Sequence, residues 1–104
     1  MQLTRSREFV ADRAWGSLPI ERFSGATTVK LHWTDQPYRW HVNDGPEVFV
    51  VLDGEVEMRM RRDGVETRLL LKAGDVLQIG EGEAHVAHPL GAARILVIEA
   101  EGSE

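Results

Sequence analysis

The sequence predicts an all-β domain, a barrel or sandwich of short strands, and three observations carry that prediction. Asp-Gly or Gly-Asp pairs recur at residues 44–45, 53–54, 63–64 and 74–75, and such pairs supply the positive φ angles that tight turns need. The runs between them are of strand length. Within one run, Val56, Met58 and Met60 alternate with Glu57, Arg59 and Arg61, the period of a strand with one buried and one wet face.

Taken in order, residues 1–17 read as an N-terminal edge strand or a short helix, with residues 8–15 open to either. Residues 27–33 read as a strand. Gln36-Pro37 breaks the chain, and residues 38–42 read as the next strand. Residues 48–52 are apolar on both faces, so one face lines the interior and the other needs a second sheet or a partner chain as cover. Residues 65–72 follow the alternating run, and Asp63-Gly64 joins the two as a hairpin. Residues 95–98 are again apolar throughout, and residues 102–104 read as a frayed end.

At 104 residues the chain is one domain, residues 1–104. A domain of this size buries surface inefficiently, and the two runs apolar on both faces add to the expectation of a homodimer. There is no cysteine, so disulfides and thiolate metal sites are excluded and any metal must use His, Asp, Glu, Asn or backbone oxygen. No apolar run approaches the ~18 residues of a membrane span, and the N-terminal stretch, with Arg5, Arg7 and Arg13, has no apolar signal region. The expectation is a cytoplasmic protein that does not associate with membranes.

The net charge is −5, and Glu99, Glu101 and Glu104 make the C-terminal end acidic. Arg59, Arg61, Arg62 and Arg68 are interleaved with Glu55, Glu57, Asp63 and Glu66, the pattern of a solvated strand face with cross-strand ion pairs. That argues against a nucleic-acid partner, which needs a dense basic patch.

The chemistry is concentrated in His41, Glu47 and His85. Two imidazoles and a carboxylate are ligands that divalent transition metals favour, and a sheet can bring the three together. Glu47 shares its face with Phe49 and Val51, and a carboxylate heading an apolar interior stripe needs a partner. Arg39 lies two positions before His41, about 6.5 Å along a strand. On a regular strand it shares His41's face and can fork onto a substrate carboxylate or phosphate, while Tyr38 and Trp40 point away. Phe49, Met58 and Met60 are candidates for a cavity wall. His88 falls on the opposite face from His85, and His32 opposes Leu31 and Trp33, which suggests a surface or interface role. No nucleophile motif or phosphate loop is present.

The spacing of these residues resembles that of the cupin family. Its first motif reads here as Asp35, five residues, His41-x-Asn43, three residues, Glu47, six residues and Gly54. Its second reads as Gly74, five residues, Gly80-Glu81-Gly82, two residues, His85, three residues and Pro89. The two motifs span residues 35–89. Asp35, Gly80 and Pro89 replace structural residues of the family pattern (Gly, Pro and Asn respectively). Asn43 stands where the family has a second ligand His.

The resemblance implies a double-stranded β-helix, a jelly-roll-like barrel that usually dimerises in single-domain members. It also implies one divalent metal ion, iron, manganese, zinc, nickel or copper, held by His41, Glu47 and His85. Asn43 is the fourth candidate position, able to bind weakly, to hold a metal-bound water, or to do neither. Arg39, Phe49 and Met58 are the candidate contacts to a small-molecule ligand or substrate. Two His and one carboxylate match both the facial triad of non-haem iron oxygenases and a hydrolytic zinc site. Two readings of function stay open. One is a metal-dependent oxygenase or isomerase acting on a small polar molecule. The other is a non-enzymatic module that binds a sugar or metabolite, its metal site degenerate.

Overall fold

Nine strands and one short 3-10 turn form among residues 1–14 and 16–103, which the computed structural model describes. In chain order they are β1 (Gln2–Arg5), the 3-10 turn (Ser6–Glu8), β2 (Thr27–Thr34), β3 (His41–Val42), β4 (Glu47–Asp53), β5 (Glu55–Arg62), β6 (Val65–Lys72), β7 (Asp75–Ile79), β8 (Ala84–Pro89) and β9 (Ala93–Ala100). They make two antiparallel sheets, ordered β1-β7-β4-β9-β2 and β3-β8-β5-β6. From β6 onward the chain changes sheet at every connection, the winding of a double-stranded β-helix.

The β5–β6 hairpin shows most simply how sequence becomes structure here. Asp63 (φ 52°) and Gly64 (φ 76°) both adopt positive φ, as a two-residue turn matched to strand twist requires. The register runs from Arg62↔Val65 to Glu55↔Lys72. Val56, Met58 and Leu71 are turned inward and buried. On the outer face Glu57 pairs with Arg59 at 2.7 Å, and Arg68 pairs with Glu66 at 3.1 Å. Such exposed pairs contribute only about 0–1 kcal/mol each, so the buried face holds the hairpin.

The other Asp-Gly signals have a different use. Asp53-Gly54 carries the chain from β4 in one sheet to β5 in the other, and the turn at residues 73–74 carries it back from β6 to β7. Gly54 sits at φ 83°, and a Cβ there would lie 2.4 Å from the Ala92 carbonyl oxygen. The corner therefore depends on the absence of a side chain as well as on glycine's φ freedom.

Between the sheets lies one apolar cluster of Phe49, Val51, Val56, Met58, Leu71, Leu77, Ile79, Ala93, Ile95 and Val97. Full burial of each large member contributes about 1.5–3 kcal/mol. Strand β1 is fixed to the sheet edge by Arg5, which donates to the fully buried Asp75 at 2.8 Å; the Lys72 amide donates to the same oxygen at 2.8 Å. The outer faces of β4 and β9, the apolar runs 48–52 and 95–98, are covered in part. Val48 is buried, and beside it Gln78 donates to Glu21 of the segment preceding β2.

Three expectations change. Residues 38–40 are not strand, and only His41–Val42 pairs; Gln36-Pro37 leaves an irregular stretch tied down by the Tyr38 amide bonding to the Ala87 carbonyl. The regular elements near the N-terminus are β1 and the 3-10 turn, which end at Glu8, and residues 9–14 form neither helix nor strand; Trp15, the end of the 8–15 stretch, lies outside the described residues. At the other end, residues 101–102 form a turn and the Ser103 amide bonds to the Ala100 carbonyl. Glu104, the last residue of the expected frayed end, lies outside the described residues. Among the described residues no helix is long and apolar enough to cross a membrane.

Candidate metal centre

Strand pairing assembles the centre from both sheets. In the β3–β8 ladder His41 lies directly opposite His85. Glu47 opens β4 and lies opposite Ile79 on one side and Glu99 on the other. Inward alternation then places Glu47 on the face of Phe49 and Val51, as the sequence pattern suggests. One ligand atom from each of His41, Glu47 and His85 falls within 4.8 Å of the others. The two imidazole rings are 4.3 Å apart, centre to centre.

Both imidazoles are oriented in the same way. His41 Nδ1 lies 2.9 Å from the Arg39 carbonyl, and His85 Nδ1 lies 2.8 Å from the Glu83 carbonyl. A carbonyl only accepts, so each Nδ1 carries a proton and donates it. In the neutral rings that leaves Nε2 as the free lone pair, the arrangement that fixes metal-ligating histidines. His85 Nε2 is buried without a hydrogen-bond partner and lies 3.6 Å from Glu47 Oε1.

The carboxylate is held by its neighbours. Glu47 is 4 % exposed, so without a partner its charge would be very costly. Asn43, 2 % exposed, donates its amide N–H to Glu47 Oε1 at 2.5 Å. Burial pushes the Glu47 carboxyl up, but His85, Asn43 and His41 together outweigh it and hold it below its ordinary value of 4.5. Burial pushes His85 down, but the Glu47 carboxylate and the Glu83 carbonyl outweigh that and raise it above 6.5.

Asn43 thus turns its nitrogen toward the carboxylate. Its Oδ1 is buried with no hydrogen-bond partner. Two imidazoles and a carboxylate, the group within reach of one ion, suit a divalent transition metal. The orphaned buried His85 Nε2 is an atom that such an ion would satisfy.

A cavity of about 500 Å³ opens over the three residues, within the usual range for small-molecule sites. Phe49 and Met58 line it, together with Ile95 and Val97. Arg39 does not. Its carbonyl orients His41, and its exposed guanidinium lies 5.2 Å above the Tyr38 ring. Tyr38, expected to point away, lies edge-on to His41 at 5.0 Å and lines the cavity, because residues 38–40 do not follow strand alternation. Trp40 lies under the Arg61 guanidinium. His88 pairs with Glu57 on the outer face, away from His85.

His32, Lys30 and Glu99 are cavity residues that the sequence reading did not place there. His32 is exposed, in keeping with a surface role, and it also borders the cavity, as Trp33 does; Leu31 is exposed on the outer face. Glu99 could have been found from β9 parity, since it continues the inward series Ile95, Val97. Burial first, and then the Glu47 charge, raise the Glu99 carboxyl, against the opposing effect of Lys30.

No family model matches the chain, and no curated protein does. Solved structures do. A cupin-2 domain containing protein from Shewanella frigidimarina is 25 % identical with a TM-score of 0.66, over 77 % of this chain and 76 % of that one. A cupin superfamily protein from Desulfitobacterium hafniense is 17 % identical with a TM-score of 0.65, over 76 % and 71 %. Hydroxypropylphosphonic acid epoxidase from S. wedmorenis, solved with fosfomycin, is 17 % identical with a TM-score of 0.62, over 70 % of this chain and 43 % of that one. The chain is a cupin by fold.

Proposed function

From the cupin fold and the site it carries, we propose that this chain binds one divalent metal ion through His41, Glu47 and His85 and acts on a small polar molecule in the cavity above it. The observation that carries the reading is the pair of imidazoles, each with Nδ1 committed to a backbone carbonyl, converging with a buried carboxylate. Structures of similar fold hold metals: HppE is solved in Fe(II) and Co(II) forms with substrate, and the oxalate decarboxylase of Bacillus subtilis has Mn(II) centres. The metal would be one of iron, manganese, zinc, nickel or copper, serving as Lewis acid or oxygen-binding centre. Three ligands leave coordination positions for a substrate, which fits oxygenation or isomerisation. Asn43 holds Glu47 in place, and Phe49 and Met58 form the apolar wall.

A second reading, a binding module without metal, draws support from the way Asn43 and His85 already stabilise the Glu47 charge. Titration with each ion separates the two. Metal-dependent turnover that His41→Ala abolishes in a folded variant supports the first. Ligand binding indifferent to chelators supports the second.

The working unit in this reading is a homodimer. Val29, Leu31 and Trp33 are 63, 66 and 58 % exposed along the outer face of β2, an edge strand. An exposed apolar stripe on a sheet edge favours pairing with another chain.

A further inference from the structure

We infer that the cavity takes a small organic acid, its anionic group held at the β2 wall by Lys30 and His32 and an oxygen donor at its other end directed to the His41, Glu47 and His85 group. The inference rests on the metal reading above and adds the substrate class.

Strand β2 presents two unlike faces. Val29 and Leu31 point outward, whereas Lys30 and His32, themselves exposed, lie opposite the inward-facing Val97 and Ile95 and line the cavity, which Trp33 also borders. Lys30 is one of two lysines in the chain. Among the described residues neither it nor His32 forms an ion pair or a side-chain hydrogen bond. Lys30 acts on Glu99 through its charge but makes no ion pair with it, and a cation beside an imidazole on a cavity wall suits a carboxylate or phosphonate oxygen.

The rest of the cavity fixes the orientation. Glu99 lies opposite Glu47 in the β4–β9 ladder, which puts a second acid at the metal end. A substrate's charged group is therefore matched best at Lys30 and His32. Phe49, Met58, Ile95 and Val97 make the wall apolar, which suits a hydrocarbon body. With a divalent ion in place the charged lining residues leave a positive excess even with both carboxylates ionised, and an anion balances it.

The test uses the Co(II)-loaded chain and the monohydroxamic acids of glutaric, adipic and suberic acid, each compared with its methyl ester. The hydroxamate chelates cobalt and shifts its visible bands, and the far end is either charged or neutral. At least one acid should bind about five- to tenfold more tightly than its ester, the scale of a charge-assisted contact at a partly exposed site. Lys30→Met with His32→Gln should erase the preference. Lys30→Arg should keep it, as should Lys72→Met, which removes the same charge elsewhere. Cobalt bands that respond equally to acid and ester, or to neither, overturn this inference alone. A chain that shows no cobalt bands overturns the metal reading and this inference with it.

Discussion

Replacing Asn43 by alanine separates two roles that the same residue could play. In the structure its amide nitrogen is 2.5 Å from Glu47 Oε1, and both side chains are almost wholly buried. Alanine leaves an ionised carboxylate short of one donor. Hydrogen bonds to charged groups contribute about 1.5–3 kcal/mol, so metal-free Asn43→Ala should lose about 2 kcal/mol of stability. In a domain of this size that is a fall in Tm of about 10 °C. Metal affinity should fall about 10- to 100-fold, the usual effect of losing a group that orients a ligand. Urea denaturation of the metal-stripped proteins reads the first quantity, and competition with a chelator reads the second. A residue that served only as a metal ligand would leave the metal-free stability where it was. A change below about 0.5 kcal/mol in metal-free protein, the range of neutral surface substitutions, would refute the positioning role.

Four further outcomes follow from the structure. His85 has a raised pKa, so its contribution to metal-free stability is complete below its ordinary 6.5 and is lost as pH rises through the raised value. Glu47 has a lowered pKa, so its contribution is complete above 4.5 and is lost as pH falls through the lowered value; thermal melts of stripped protein should show the pair most stabilising between 4.5 and 6.5. Because a metal must displace the His85 proton, affinity measured by chelator competition should drop by about tenfold per pH unit below that raised pKa, and a flat profile would contradict the assignment of His85 as ligand. Gly54→Ala adds a Cβ 2.4 Å from a backbone oxygen at φ 83°, and urea denaturation should show a loss of more than about 2 kcal/mol. Leu31→Glu puts a charge in the exposed stripe of β2 and should convert a dimer to a monomer in light scattering, with a Tm that no longer depends on protein concentration; an unchanged mass would remove that face from the interface.

Much of the fold was legible because it rests on local chemistry. The β5–β6 hairpin follows from Asp63-Gly64 and from the alternation of Val56, Met58 and Met60 with charged residues. The face shared by Glu47, Phe49 and Val51 follows from strand parity, as does the separation of His85 from His88. The sheet-to-sheet corners were not legible, because Asp53-Gly54 looks like a hairpin turn in sequence and only the packing of Gly54 against Ala92 shows a crossing between sheets. Parity also failed where the strand failed. Tyr38 and Arg39 exchange roles because residues 36–40 are irregular. His32 is exposed, in keeping with a surface role, but its place at the cavity was missed because an edge strand can turn an apolar residue such as Leu31 outward, which makes it a poor guide to the interior. The orientation of Asn43 depends on which end of an amide meets the carboxylate, which only the assembled site decides.

The most direct test of the central claim is the metal content of the purified chain after incubation with each candidate ion, beside a His41→Ala/His85→Ala variant confirmed to be folded. About one equivalent of a single divalent transition metal is expected in the parent and none in the variant. A parent that takes up no ion, or a folded variant that binds as well as the parent, would contradict that claim.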